Sequence, residues 1–315
     1  MSYAAACLAA LLAAVVSAWG RFLVRGSTAG PAAAWAVAGC LALAAEMAAR
    51  ATGMLASPAP AASARLVVAA LSLCPTMSLL GAKRPQHGVW QSIVATLAVV
   101  LALPAVTAVL VRPGSLPDVH LLERCLMPLL VTVGWMNFVG TGRAVAATIA
   151  ACGQLLLLAG FLPGANTEAW TDQASLDTAA AGLILAATLL AACQAAIAGR
   201  RPKPDPLHRQ PTRAAALVDP AFRSLRETFG AVWTLRIMER FDAVAAERGW
   251  PCRLRFHGLD CPASAPQESS RPPWERDATR VFRGLALRFV NDAWLARHGW
   301  QPGAVVDETQ PQPAG

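Results

Sequence analysis

Apolar residues in the first two thirds of the chain form seven runs separated by short polar loops. Each run approaches the roughly 20 residues that a helix needs to cross a bilayer. The first reaches that length if Arg21 extends its charged end to the membrane surface, and only residues 141–143 separate the fifth run from the sixth. The predicted spans are 4–24, 31–49, 64–82, 88–111, 125–142, 144–162 and 177–198.

The positions of lysine and arginine predict the orientation, because these residues concentrate in cytoplasmic loops. With seven spans, four cations fall on one side: Arg50, Arg65, Arg112 and Arg124. Ten fall on the other: Arg21, Arg25, Lys83, Arg84, Arg143, Arg200, Arg201, Lys203, Arg209 and Arg213. This bias predicts an external N-terminus and a cytoplasmic C-terminus. Six spans is the alternative. It would place the loop that contains Arg21 and Arg25 on the opposite side of the membrane from the tail.

The rest of the chain predicts a small cytoplasmic α+β domain of helix, strand and helix. Residues 199–218 are a proline- and arginine-rich linker, 219–306 are the domain, and 307–315 are a disordered tail. Asp219 and Pro220 predict the N-cap and first position of an amphipathic helix of about 28 residues that ends at Gly249. Apolar and polar residues alternate from Cys252 to His257, which predicts one half-buried strand. A second amphipathic helix follows, and both helices end in Gly-Trp, which is typical of a left-handed C-cap.

Composition supports this division and excludes an ordinary soluble protein. Charged residues make up 15% of the chain, against about 25% in soluble domains, and the mean hydropathy is +0.43. Six of the eight cysteines lie in apolar runs, where cysteine behaves as a small hydrophobic residue. We therefore expect an all-helical multi-pass protein of the bacterial inner membrane in contact with lipid.

The turn sequence LLGAKRPQ, followed by Trp90-Gln91 and later by Gly249-Trp250-Pro251, resembles uncharacterised bacterial multi-pass membrane proteins. The resemblance extends over most of the chain. It implies a membrane location and no particular activity.

Glu46 is the one acid well inside an apolar run, which makes it a candidate for an ion or substrate pathway. Arg50 follows one helical turn later, so an ion pair at the membrane interface is the alternative explanation. Pro75, Pro104 and Pro128 interrupt the third to fifth spans, either as structural kinks or as broken helices around a transport site. Nearby polar residues either line such a path or form interhelical hydrogen bonds: Thr76, Ser78, Gln91, Asn137 and Gln154.

Lys83 and Arg84 form a basic turn between the third and fourth spans. They either fix the topology or bind an anionic headgroup or the cytoplasmic tail.

No catalytic, cofactor or nucleotide motif is recognisable, so we expect a protein that is not an enzyme and has no cofactor. Cys252, His257, Cys261 and His298 have a spacing that matches no standard zinc site, and we expect no metal. The cations of the tail alternate with acids and follow no aromatic stacking pattern, which argues against nucleic acid as a partner.

Two functional hypotheses remain. In the first, the protein is a scaffold or regulator whose residues 219–300 bind a cytoplasmic protein, with Phe229 and Trp233 as candidate interface residues. In the second, it is a small-solute transporter that uses the proline-kinked third to fifth spans.

Overall fold

The computed structural model describes residues 3–83, 87–164, 173–198, 212–261 and 273–300. The chain divides into two compact units, Met1–Arg201 and Pro202–Gly315, which we call the membrane unit and the C-terminal unit.

The described part of the membrane unit consists of helices joined by short loops. Six of its helices are long and apolar enough to cross a bilayer, so the chain is a multi-pass membrane protein. The helices are α1 (Tyr3–Leu23), α2 (Gly30–Ala51), α3 (Pro58–Leu80), α4 (His87–Leu110), α5 (Leu121–Met136), α6 (Ala144–Leu158) and α7 (Gln173–Ala198). A single 3-10 turn, Ala159–Phe161, extends α6.

The helix bounds follow the apolar runs closely, with two differences. Helix α3 begins six residues before the predicted span, because Ser57 is its N-cap and Pro58 lies in its first turn, where the missing N–H costs nothing. Arg65, which is counted with the cations of the external side at the start of the predicted span, is therefore well inside α3. Helix α5 has 16 residues and ends at Met136, earlier than the predicted span of 125–142, and it is not among the six.

Small residues bring the helices of the membrane unit close together. A Cβ atom added to Gly39 of α2 would lie 3.5 Å from the carbonyl oxygen of Leu71 in α3. The same addition at Gly134 of α5 would lie 2.6 Å from the Thr76 hydroxyl oxygen. Dispersion contacts between closely packed backbones stabilise such bundles in lipid, where burial of apolar surface gives little driving force between helices.

In its described residues, the C-terminal unit contains four helices and a two-stranded antiparallel sheet, in which β1 contacts α9 and β2 contacts α8. Its elements are α8 (Arg213–Phe229), α9 (Ala231–Glu247), β1 (Arg253–Arg255), β2 (Gly258–Asp260), α10 (Pro273–Ala286) and α11 (Asp292–Arg297).

The long helix predicted from Asp219 to Gly249 is two helices. Helix α8 begins at Arg213, within the predicted linker, because the Thr212 hydroxyl caps it by accepting the Ala215 N–H at 3.2 Å. Asp219 is therefore inside the helix and is not its N-cap. Gly230 ends α8 with a φ of +79°, a conformation that costs glycine little, and α9 starts at the next residue.

The single predicted strand is a hairpin. Arg253 pairs with Asp260, Leu254 with Leu259 and Arg255 with Gly258, so Phe256 and His257 form the turn. Gly258 has a φ of +144°, and an added Cβ atom would lie 2.6 Å from the Asp219 carboxylate. A residue with a side chain would not fit here.

The predicted Gly-Trp caps are confirmed at both sites. Gly249 and Gly299 have φ values of +63° and +90°. The following N–H groups reach back to the last helical turn, from Trp250 to the Ala245 carbonyl at 2.8 Å and from Trp300 to the Leu295 carbonyl at 3.0 Å. Both indoles are buried, so each cap also anchors its helix to the core.

Candidate functional site

Glu46 is the centre of a buried ion-pair network in the membrane unit. Its carboxylate accepts the Arg50 Nε–H at 3.0 Å, the predicted pairing one turn apart on α2. It also accepts the Arg65 Nε–H from α3, at 3.0 Å to each oxygen. One carboxylate therefore links two helices through two guanidinium groups.

Asp177 of α7 completes the network as its second acid. Its Oδ1 lies 2.6 Å from Arg65 Nη1, and its Oδ2 lies 3.8 Å from Arg50 Nε. Arg50 also donates to the Ala61 carbonyl of α3 at 3.3 Å, and its guanidinium lies 5.9 Å from the centre of the Tyr3 ring in α1. The network thus joins α2, α3 and α7, with an aromatic contact to α1.

The four charges balance within a site that excludes solvent. The side chains of Glu46 and Asp177 are 1% exposed, and those of Arg65 and Arg50 are 4% and 7% exposed. At 1.5 Å per residue, Glu46, Arg65 and Asp177 lie roughly 6 to 10 Å from the nearer ends of their helices, whereas Arg50 is next to the last residue of α2. Buried charges in such a place are tolerated when they pair with opposite charges, as these four do.

A second polar group, which we call the polar seam, lies among α2, α3, α4 and α6. The Gln91 side chain accepts the Trp35 indole N–H at 3.1 Å and donates to the Ser78 hydroxyl at 3.0 Å. Gln154 donates to the Ser72 carbonyl at 2.6 Å, close to the point where Pro75 interrupts the backbone ladder of α3. These polar groups are interhelical hydrogen-bond partners.

The other predicted membrane residues lie apart from the network. Asn137 is buried at the C-cap of α5. Lys83 follows the end of α3 and is half-buried, and Arg84 falls outside the described residues.

Phe229 and Trp233, the predicted interface residues, are in the core of the C-terminal unit. Their exposed fractions are 1% and 7%. Both rings pack against Phe289, with centroid distances of 5.5 and 5.0 Å. Because they are enclosed by α8, α9 and the turn after α10, they stabilise the unit, and a partner would contact other residues.

The residues weighed for zinc do not converge. His257 is in the hairpin turn, at the opposite end of the hairpin from Cys252 and Cys261. His298 stacks on Trp294 at 3.8 Å between ring centroids, and burial lowers its pKa. Within the described ranges, no three His, Cys, Asp or Glu side chains are placed to hold a metal ion.

Arg65 and Asp177 are the site residues that sequence reasoning did not identify. Both lie near the ends of apolar runs, where a charged residue ordinarily marks the membrane surface. The spacing of Glu46 and Arg50 indicated half of the network. The signal for the other half, Arg65 and Asp177, was that charges of both signs lie near the same end of three predicted spans.

No protein-family model, curated protein or solved structure matches the chain.

Proposed function

We propose that the protein is a non-catalytic scaffold or regulator of the bacterial inner membrane, whose helices anchor a cytoplasmic unit that binds a partner protein. The observation that carries the proposal is that residues after Arg201 form a compact unit with a core of their own. Its buried aromatic residues come from α8, α9, α10, α11 and the turns that follow α9, α10 and α11. A unit of this kind has the rigidity that a specific protein interface requires.

The ion-pair network favours an anchor over a moving part. Both acids are neutralised by guanidinium groups, and arginine keeps its proton in proteins. Glu46 is paired with Arg50 and Arg65 at 2.9 Å each, and Asp177 lies 2.6 Å from Arg65. Three helices held by one set of buried charges resist relative movement, which suits a membrane anchor.

We further propose that α5 is a short seventh crossing. The network places the C-terminal end of α2 and the N-terminal ends of α3 and α7 at one end of the bundle. Leu157 packs there with Met47 and Ala180, so α6 finishes at that end. Helix α4 starts at the opposite end, beside the end of α3, because the Trp90 indole N–H donates to the Met77 carbonyl. It therefore finishes at the same end as the network. The segment between α4 and α6 must then return across the bundle, and α5 is that segment.

An odd number of crossings makes a testable prediction about topology. Reporter fusions after Arg25, Lys83 and Arg201 should all report the cytoplasm, whereas a fusion after Arg112 should report the periplasm. The positive-inside bias and the helix order both lead to this result. A cytoplasmic signal after Arg112, or a periplasmic signal after Arg25 alone, would contradict seven crossings.

The partner site is expected on the exposed face of α9. Among the described residues of the C-terminal unit, Leu235 is the one large hydrophobic side chain with high exposure, at 54%. Arg236, Glu239 and Arg240 surround it on the solvent side. An apolar residue within a charged rim is a common arrangement in protein interfaces.

Photocrosslinking in intact cells tests this proposal directly. A photoreactive amino acid at Leu235 or Arg240 should yield a discrete crosslinked species, and the same probe at the exposed Ala296 of α11 is the matched control. A chain ending at Ala198 should lose the partner. Absence of any crosslink from α9, or equal capture from Ala296, would overturn the proposal for this face.

The polar seam is the specific observation that favours the alternative, a small-solute transporter. It brings Gln91 and Ser78 together one turn after Pro75 of α3. Solute flux in liposomes by the chain ending at Ala198, together with loss of flux in Gln91→Leu, would support transport and contradict a simple anchor.

A further inference from the structure

Cys252 and Cys261 face each other at the open end of the hairpin. Cys252 immediately precedes β1, and Cys261 immediately follows β2. The register pairs Arg253 with Asp260, so one step further along the ladder places the two cysteines directly opposite. Alternation also puts them on the buried face, with Leu254 and Leu259.

In an antiparallel ladder, opposite residues alternate between hydrogen-bonded and non-hydrogen-bonded pairs. The backbone N–H groups of Leu254 and Leu259 show which kind the two cysteines form. The Leu254 N–H points away from β2 and donates to Asp242 Oδ1 at 2.8 Å, and the Leu259 N–H points away from β1 and donates to Asp219 Oδ1 at 2.7 Å. Leu254 and Leu259 are thus a non-hydrogen-bonded pair. Because the pattern repeats every two residues, the cysteines are another, with Cα atoms about 4.5 Å apart. This separation lies within the range that a disulfide bridges.

The two thiols differ in environment. Cys252 is fully buried, whereas Cys261 is half-buried. Cys261 lies beside the start of α8, where the hydroxyl oxygen of the N-cap Thr212 is 3.9 Å from its sulfur. The amide groups at a helix N-terminus favour a thiolate.

The thiols also interact with each other. The pKa of Cys261 is lowered, chiefly because it accepts a hydrogen bond from Cys252, although burial and the carboxylates of Glu275 and Asp219 oppose the change. The pKa of Cys252 is raised by the same hydrogen bond and by burial. Cys261 is therefore the nucleophile of the pair, and Cys252 is the protonated neighbour.

We propose that Cys252 and Cys261 form a redox-active dithiol that exchanges with disulfide substrates. The Cys261 thiolate attacks one sulfur of the substrate disulfide, forms a mixed disulfide and releases the other sulfur as a thiolate. The Cys252 thiol then loses its proton and attacks the Cys261 sulfur, which releases the second substrate thiolate. The products are the Cys252–Cys261 disulfide and a substrate reduced by two electrons.

This exchange oxidises the cysteine pair once, without turnover, and it is separate from partner binding by α9. The oxidised form closes the open end of the hairpin with a covalent bond. Protection of β1 and β2 against hydrogen exchange should therefore rise on oxidation.

Treatment of the full-length protein in detergent with oxidised glutathione tests the proposal. After trapping of free thiols, peptide mass spectrometry should find a Cys252–Cys261 disulfide and little retained glutathione. Cys252→Ala should instead retain glutathione on Cys261, because no neighbouring thiol resolves the mixed disulfide. Cys261→Ala should leave the buried Cys252 unmodified.

The pH dependence of alkylation separates a reactive pair from a structural one. In the wild type, the midpoint for modification of Cys261 by iodoacetamide should lie below the value of about 8.5 for an unperturbed thiol, and Cys252→Ala should raise it. The proposal is overturned if the wild type at equilibrium with oxidised glutathione contains no Cys252–Cys261 disulfide. It is equally overturned if Cys252 in Cys261→Ala reacts as fast as Cys261 in the wild type. The wild-type measurement needs no variant, so it decides the matter even if a substitution prevents folding.

Discussion

Arg65→Met should destabilise the membrane unit by about 3–5 kcal/mol, the usual cost of removing one partner from a buried ion pair. Arg65 is the residue that contacts both acids, Glu46 and Asp177. Without it, two buried carboxylates would share the single charge of Arg50. Methionine keeps much of the side-chain volume, so the expected loss reflects charge and hydrogen bonding.

The double variant Arg65→Met with Asp177→Leu is the matched control. It removes one charge of each sign and leaves the Glu46–Arg50 pair on α2 intact, so it should recover most of the lost stability. Unfolding in detergent can be followed with a thiol-reactive dye, because Cys40 and Cys74 are buried in this unit. An unchanged melting temperature in Arg65→Met, or a double variant as unstable as the single one, would contradict the interpretation of the network.

Phe229→Ala should cost the C-terminal unit about 3–5 kcal/mol, the usual range for deleting a buried phenylalanine. Phe229 is 1% exposed, and its ring packs on Phe289 at the junction of α8 and α9. The deletion removes an aromatic contact and leaves a cavity beside Gly230, where the chain turns. Hydrogen exchange of the full-length protein should show lower protection in α8, α9 and α10, with α1 to α7 unaffected.

Leu235→Ala on α9 provides the comparison for this prediction. Its side chain is 54% exposed, so truncation should change protection by less than about 0.5 kcal/mol. If Leu235 belongs to the partner surface, the variant should lose crosslinking without loss of protection. Equal protection in Phe229→Ala and the wild type would show that the aromatic core contributes less than its burial indicates.

The sequence predicted the membrane helices well because their signal is local. A run of apolar residues must form a helix in lipid, where each backbone polar group needs an internal partner. The network was only half predictable, since the contact between Glu46 and Arg65 depends on how α2 packs against α3. A charge that is buried by a neighbouring helix has the same local pattern as a charge at the membrane surface.

The C-terminal unit was predicted less well, for two physical reasons. The apolar spacing from Phe222 to Ile237 continues across Gly230, so the pattern showed one helix where the backbone has two. The strand predicted from Cys252 to His257 was correct as far as Arg255. The turn was missed because Phe256 and His257 are not the usual residues of tight hairpins. Arginines of α8 stabilise that turn through its carbonyls: Arg226 to Phe256 at 2.7 Å and Arg223 to His257 at 3.3 Å.

The carboxylates on both sides of the hairpin limit how another protein could dock. A short two-stranded sheet ordinarily offers its outer N–H and C=O groups to an incoming peptide strand. Here the outward N–H of Leu254 already donates to the Asp242 carboxylate, and the outward N–H of Leu259 donates to the Asp219 carboxylate. Strand addition would have to displace a helix carboxylate at either edge, so recognition of this unit is expected to be helix-mediated, without β-augmentation.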